Sequence, residues 1–238
     1  MFIDNSLKHI AIIPDGNNRW AKKNGVSPID AYSYGTEIIE KIVIRANELN
    51  IQYVTAYLMS LENFERRSNQ WKKAFFAFIE KTIACYITNE KLKNVKIKTI
   101  GNLDVLPENL KNQINEMEVI TSKNKNIILN IAIAYSGQDE IVRAVNKFFI
   151  DDNDSKGHTQ ITAKILEKYL DTAGIPSPDL LIRTSGEMRL SGFLLWQNAY
   201  TEFFFVNELW PDFSLEIFDK IIEDFYKRTR NFGKERKL

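Results

Sequence analysis

The chain has 238 residues, 44% of them hydrophobic and 12% aromatic, enough to bury one large core and too few for two comfortable domains, so one α/β domain over 1–238 is expected. Its 32 basic and 31 acidic residues leave a formal charge of +1, which gives no general field for nucleic acid or an anionic membrane and requires any anion site to be local. The single cysteine, Cys85, lies in an apolar helical pattern with no partner for a disulfide, which favours a reducing compartment and a structural role.

The opening "MFIDNSLKH" lacks the basic region and apolar core of a signal peptide. No window approaches about 18 uninterrupted apolar residues, so a cytoplasmic protein without membrane insertion is expected, although its substrate can still be greasy. Short apolar runs then recur and fit buried strands: "HIAIIP" (9–14), "YVTAYL" (53–58), "VKIKTIG" (95–101), "IILNIAIAY" (127–135), "DLLIRT" (179–184) and "EFFFV" (202–206). Between them lie helical patterns at 36–49, 70–91, 107–122, 138–149, 161–172 and 214–230. In the first of these, Ile38, Ile39, Ile42, Val43, Ala46 and Leu49 form one face.

Strands alternating with helices of this length predict parallel pairing through crossovers, hence a six-stranded, mostly parallel sheet with helices on both faces. Ligands in such sheets bind beyond the carboxyl ends of the strands. The polar stretch "DDNDSKGHTQ" (151–160) reads as a flexible link, with His158 a solvated loop residue.

Three strand ends are unusually polar. After the first comes "PDGNNRW", where Gly16 permits a tight turn and a helix opens with unpaired amides near Asn17, Asn18 and Arg19, a suitable phosphate site. Asp15 would repel that phosphate unless a divalent metal bridged them. The competing reading makes Asp15 a helix N-cap and Arg19 a solvated charge.

After the second strand, "MSLENFERRSNQ" gathers Ser60, Glu62, Asn63, Arg66 and Arg67. After the fifth, "RTSGEMRLSGFLLWQ" sets Arg183, Arg189 and Ser191 around Gly186, a fork suited to a second phosphate, with surface salt bridges as the alternative. Glu202 opens the sixth strand as another candidate metal ligand.

Other chemistries lack their residues. There is no G-x-x-x-x-G-K-[ST] for a P-loop, no G-x-G-x-x-G after the first strand, and only two histidines for a triad or a metal cluster. Two anion sites, a metal carboxylate and an interior rich in Phe and Ile together suggest an enzyme joining two phosphorylated, hydrophobic substrates.

The stretches "HIAIIPDGNNRWAKKNG", "SLENFER", "LNIAIAYSG", "DLLIRTSGEMRLSGFLLWQNAYTEFFFVNELWPDF" and "RNFGK" resemble, in order, the cis-prenyltransferases, the family that includes undecaprenyl diphosphate synthase. The resemblance implies the fold, a homodimer, Mg²⁺ dependence, and condensation of an allylic diphosphate with isopentenyl or dimethylallyl diphosphate. It implies Asp15 as the catalytic, Mg²⁺-holding carboxylate. Gly16, Asn17, Asn18, Arg19 and Trp20 fall in the allylic diphosphate loop. Ser60 and Asn63 match residues that position the reacting centre and assist proton loss, with Glu62 and Phe64 between and beside them, and Arg66 matches a nearby diphosphate contact. Arg183, Arg189 and Ser191 match the isopentenyl diphosphate site, and Glu202 an acidic position linked to metal and to the dimer.

Departures from the pattern lie in the allylic segment, where an arginine and a G-H pair are replaced by Pro28, Ala31 and Tyr32. This stretch is similar to the lavandulyl and cyclolavandulyl diphosphate synthases, which couple prenyl units irregularly, head to middle. Irregular coupling is therefore the leading expectation, with regular cis-1'-4 elongation and a non-catalytic partner subunit as alternatives. Leu58 stands where the family has alanine, and Phe75, Phe76 and Phe78 crowd the next helix, so a short product of about two to four isoprene units is expected unless these aromatics merely pack against the sheet.

Overall fold

The computed structural model describes residues 7–155 and 160–230, side chains at 152–155 excepted; His158 and the end of the "RNFGK" stretch lie outside the described residues. Six strands appear where the apolar runs place them: β1 (His9–Ile13), β2 (Tyr53–Tyr57), β3 (Val95–Ile100), β4 (Ile127–Ala132), β5 (Leu180–Arg183) and β6 (Glu202–Phe205). They form one sheet in the order β3-β4-β2-β1-β5-β6, and every neighbouring pair is parallel. The expectation of a mostly parallel sheet thus becomes an all-parallel one.

β1 explains its own continuous apolar run, because both of its faces are covered. Ile10 and Ile12 join the larger core, with Val54, Ile97, Leu129 and Ile182, while Ala11 and Ile13 join Tyr57, Tyr135, Leu181 and Phe193 on the opposite side. Helices α1 (Asn17–Asn24), α2 (Pro28–Glu48), α3 (Leu61–Arg66), α4 (Asn69–Thr88), α5 (Glu108–Thr121), α6 (Gly137–Ser155), α7 (Ala163–Leu166) and α8 (Leu215–Lys227) complete the chain. Buried residues of α2, α4, α5 and α8 belong to the larger core; α6 and α7 meet through Ala144 and Leu166.

Several boundaries differ for local reasons. α2 begins at Pro28, well before 36, because a proline at the first helical position is preset for the helix and Ser27 and Asp30 cap each other reciprocally. The link at 151–160 continues α6 as far as Ser155. The helix expected over 161–172 shortens to one turn, and Asp171 beyond it accepts both Arg143 nitrogens, at 2.7 and 2.6 Å, and the Gly101 N–H. Cys85 is exposed on α4, so it has no role in the core.

Candidate active site

The carboxyl ends of β1, β2 and β5 lie side by side, which brings the three polar segments to one place. Beyond β1 the chain turns at Gly16, whose φ of 106° favours glycine; a Cβ there would lie 2.9 Å from the Leu209 side chain. Gly16 is also the N-cap of α1 and supplies no side chain, so no capping group competes for the first-turn amides. Asp15 is therefore not the cap. Its carboxylate accepts from Arg183 Nη2 at 2.8 Å, and about a third of the side chain (32%) stays exposed. The Asp15 carbonyl is fixed by Thr184 Oγ1 at 2.7 Å and by the Trp210 N–H at 3.0 Å.

The expected fork of two arginines takes a different form. Arg183 is almost fully buried and spends its Nη donors inside the protein: Nη1 reaches the Arg189 carbonyl and Ser191 Oγ, and Nη2 reaches Asp15. It is the brace of the site. Arg189, 60% exposed, pairs with Glu187, and Arg19 donates to the Ser185 carbonyl at 3.1 Å with Glu187 3.8 Å away. The turns are held in left-handed backbone at Ser185 and Ser191, φ 79° and 50°, each followed by a glycine, a strain of the kind that functional loops retain.

Beyond β2, Ser60 caps α3 by accepting the Asn63 N–H at 3.1 Å and bridges in parallel to Tyr135. The Tyr57 hydroxyl donates to the Tyr135 carbonyl at 2.9 Å and lies 3.3 Å from the Ser191 carbonyl, tying the β2 and β5 loops together. Burial pushes its pKa well above the usual phenol value.

These residues enclose a polar cavity of about 450 Å³. Its walls include Asp15, Gly16, Asn17, Asn18, Arg19, Ser60, Asn63, Arg67, Arg183, Glu187, Arg189 and Ser191. Pro14, Asn17, Tyr32 and Leu58 also line an apolar slot of about 60 Å³ that runs between the sheet and α2, α4 and α5, past Phe78, Ile83, Tyr86 and Met117. Burial raises the pKa of Tyr32, against the opposing pull of Arg67, so it remains a neutral donor.

Several expected site residues lie elsewhere. Glu202 starts β6, in register with Leu180 and Ile10, so it sits at the amino end of the sheet, where Arg228 holds it at 2.8 Å; within this chain it does not join Asp15. Trp20 donates to Asp212 at 2.7 Å and packs on Tyr34, docking α1 rather than lining either cavity. Phe64 is buried against Phe76. Glu62 is exposed and faces Gly192, 3.9 Å from where its Cβ would be. Arg66 ends α3 exposed and outside both cavity walls. Of the three phenylalanines, Phe78 lines the slot, whereas Phe75 stacks on Trp71. Sequence reasoning gathered Arg67 at the second strand end but gave the diphosphate contact to Arg66, and it left Tyr57 and Glu187 out of the site.

Among the described residues no three His, Cys, Asp or Glu side chains converge on a metal position. Two carboxylates line the cavity, Asp15 and Glu187, and a partly exposed carboxylate such as that of Asp15 would suit Mg²⁺, which keeps waters and takes one or two carboxylates plus substrate oxygens. Asp15 is the residue that would hold it. Nor is any described helix long and apolar enough to cross a membrane.

Comparison with known proteins agrees with this geometry. Residues 13–233 match a prenyltransferase family model described as "Putative undecaprenyl diphosphate synthase". An isoprenyl transferase of Clostridium tetani is 39% identical over 97% of this chain and 91% of its own length. A tritrans,polycis-undecaprenyl-diphosphate synthase (geranylgeranyl-diphosphate specific) of Pyrococcus abyssi is 40% identical over 95% of this chain and 87% of its own. Among solved structures, lavandulyl diphosphate synthase from Lavandula x intermedia in complex with dimethylallyl diphosphate superposes with a TM-score of 0.89 and 32% identity, over 98% of this chain and 100% of that one. The chain belongs to the undecaprenyl diphosphate synthase family of cis-prenyltransferases and is an isoprenyl transferase.

Proposed function

We propose that this transferase joins an allylic prenyl diphosphate to isopentenyl diphosphate in a regular cis-1'-4 step, using Mg²⁺ at Asp15, as a cytoplasmic homodimer. One observation carries the reading: a polar cavity ringed by arginines shares Pro14, Asn17, Tyr32 and Leu58 with an adjoining apolar slot. The slot takes a prenyl tail and the cavity takes two diphosphates. The allylic C–O bond breaks with its electron pair leaving on diphosphate, the isopentenyl alkene attacks the freed carbon, and a proton is lost to the surroundings of Asn63 and Ser60. Mg²⁺ bound at Asp15 would neutralise the departing diphosphate. Arginines and the first-turn amides of α1 stabilise the same developing charge.

Regular elongation replaces irregular coupling as the leading reading because the curated relatives cited above are isoprenyl transferases and an undecaprenyl diphosphate synthase. On a scale where one water takes about 10–15 Å³, a 60 Å³ slot accepts roughly one isoprene unit, which favours a short product over a long one. The likeness to lavandulyl diphosphate synthase keeps irregular coupling as the second reading.

Incubation with Mg²⁺, isopentenyl diphosphate and dimethylallyl, geranyl or farnesyl diphosphate, followed by dephosphorylation and product analysis, separates the two. Regular short products are expected. Turnover of dimethylallyl diphosphate alone to a branched product would favour irregular coupling, because regular elongation needs the isopentenyl alkene. A ladder of many cis units would overturn the short-product reading.

A further inference from the structure

We propose that Trp210 is a positioning residue for the transfer reaction: it ties α2, which walls the apolar slot, to the turn that carries Asp15, and so fixes where a prenyl tail runs relative to its reacting head group. This rests on the prenyl diphosphate reading above and deepens it.

In "LWPDF" a tryptophan before a proline reads as ordinary core. In the structure it is 1% exposed and the largest of the fully buried side chains among the described residues. So complete an enclosure is uncommon for tryptophan, because the indole N–H must then find a partner away from water. Trp210 opens the single turn Trp210–Asp212 and stacks on Phe213, with ring centroids 5.5 Å apart.

Its two N–H groups serve different elements. The backbone N–H donates to the Asp15 carbonyl at 3.0 Å, and the indole Nε1–H donates to the Gly35 carbonyl of α2, also at 3.0 Å. One residue is thus bonded both to the turn behind the polar cavity and to the helix beside the slot. Leu209, just before it, lies so close to Gly16 that a Cβ there would meet the Leu209 Cα at 3.1 Å, which leaves this segment no room to slide on the Asp15 side.

Space on the α2 side is equally tight. A Cβ at Gly35 would lie 2.8 Å from the indole Cδ1 and Nε1 and 3.3 Å from Asn17 Oδ1. Gly35 is inside a helix and has no positive φ, so its use there is space rather than conformation. Glycine in a helix interior costs about 1 kcal/mol relative to alanine, and close approach of the indole to the backbone is what that cost permits.

Position gives the contact its role. Trp210, Gly35, Thr36 and Ile39 all line the slot, and Tyr32, three residues before Gly35, lines both cavities. A shift of α2 against Trp210 would therefore move the slot wall while Asp15, Arg183 and Ser191 stay bonded to one another. A five-carbon substrate needs little of the slot. Each further isoprene unit depends on it, so the contact should matter more as the tail lengthens.

The test compares Trp210→Phe, Gly35→Ala and Phe148→Leu with the unmodified enzyme. It measures kcat/KM for dimethylallyl and geranyl diphosphate with isopentenyl diphosphate and Mg²⁺, the affinity for inorganic diphosphate, and the thermal midpoint. Trp210→Phe keeps a ring and the backbone bond to Asp15 but loses the bond to Gly35. It should lower kcat/KM about tenfold for geranyl diphosphate, the weight of one buried hydrogen bond, and less than about threefold for dimethylallyl diphosphate, with inorganic diphosphate within about twofold. Gly35→Ala attacks the same contact from α2, leaves Trp210 in place and favours the helix, so it should show the same dependence on tail length even where Trp210→Phe folds poorly. Phe148→Leu truncates a buried ring on α6 that lines neither cavity, so it should lower the thermal midpoint and affect both substrates alike. An unchanged ratio of geranyl to dimethylallyl turnover in Trp210→Phe and Gly35→Ala would overturn the assignment and leave the prenyl diphosphate reading standing. Equal losses for both substrates with weakened inorganic diphosphate would overturn it too, by moving the role of Trp210 to the Asp15 turn. An unmodified enzyme that turns over neither substrate pair would overturn both.

Discussion

The polar cavity and the apolar slot share Pro14, Asn17, Tyr32 and Leu58, yet they are built by different means. The polar cavity is made from loops that follow strands, and its side chains are already bonded to one another: Asp15 to Arg183, Arg183 to Ser191, Arg189 to Glu187. The slot is made from helix faces packed over the sheet, and its capacity is whatever volume Phe78, Ile83, Tyr86 and Met117 leave unfilled. Chemistry is therefore fixed by bonds that can be named. On the proposed reading, product length is set by packing, where one methyl group matters.

The sharpest way to break this contrast is Asp15→Asn. It keeps an acceptor for Arg183 but loses the charge that would hold Mg²⁺, so kcat should fall about a thousandfold with the thermal midpoint little changed. Asp15→Ala should add a loss of stability, because it leaves the buried Arg183 without its partner. Near-normal turnover in a folded Asp15→Asn protein would remove the metal from this reading.

A second experiment should ignore both cavities. His9, at the amino end of β1, is buried; its Nδ1 donates to the Pro176 carbonyl, which can only accept, and its Nε2 accepts from Thr55 Oγ1, each at 2.7 Å. Desolvation lowers its pKa to about 4, against the raising effects of the Pro176 bond and Asp179. Since the unfolded chain takes up this proton first, stability should be level above pH 6.5 and fall by about 3 kcal/mol as pH drops to about 4. Urea melts at stepped pH check this, and a slope that survives in His9→Asn would locate the titration elsewhere.

Arg189→Gln should raise the isopentenyl KM about tenfold and the allylic KM much less, because its exposed guanidinium stands on the β5 side of the cavity. Equal losses would merge the two anion sites into one. The smallest expected effect, and the one that probes the slot, is Leu58→Ala: activity is kept and the product lengthens by about one isoprene unit as the passage widens. Product analysis by chain length decides it, and an unchanged product would assign the limit to residues deeper in the slot.

The same contrast explains what could be read before the structure. All six strands were visible, because a strand buried on both faces leaves a continuous apolar run, as at Ile10–Ile13. Their order was not, since it depends on which crossovers pack together. Polar loop residues such as Asp15 and Ser191 stood out because turn chemistry alone did not require them. Glu202 does not meet Asp15 within one chain, because an acidic residue opening a parallel strand lies at the opposite end from residues closing its neighbours. Trp20 and Phe64 lay inside informative motifs but serve packing, and only their contacts with Asp212 and Phe76 reveal it. Arg66 and Arg67 differ by one peptide unit, and the end of α3 decides between them. The slot was legible only as an excess of aromatic residues, because cavity volume is a property of many side chains at once.

The bond between Asp15 and Arg183 joins two adjacent strands as the chain folds, before any ligand arrives. Assembly of the protein and charging of its catalytic centre thus become separate events, unlike those small metal proteins that collapse only around their ion. A chelator should silence the enzyme without melting it, and restored magnesium should return full activity with no refolding delay. On the proposed reading, the molecule would wait in a dormant, intact form through metal scarcity and resume when supply returns.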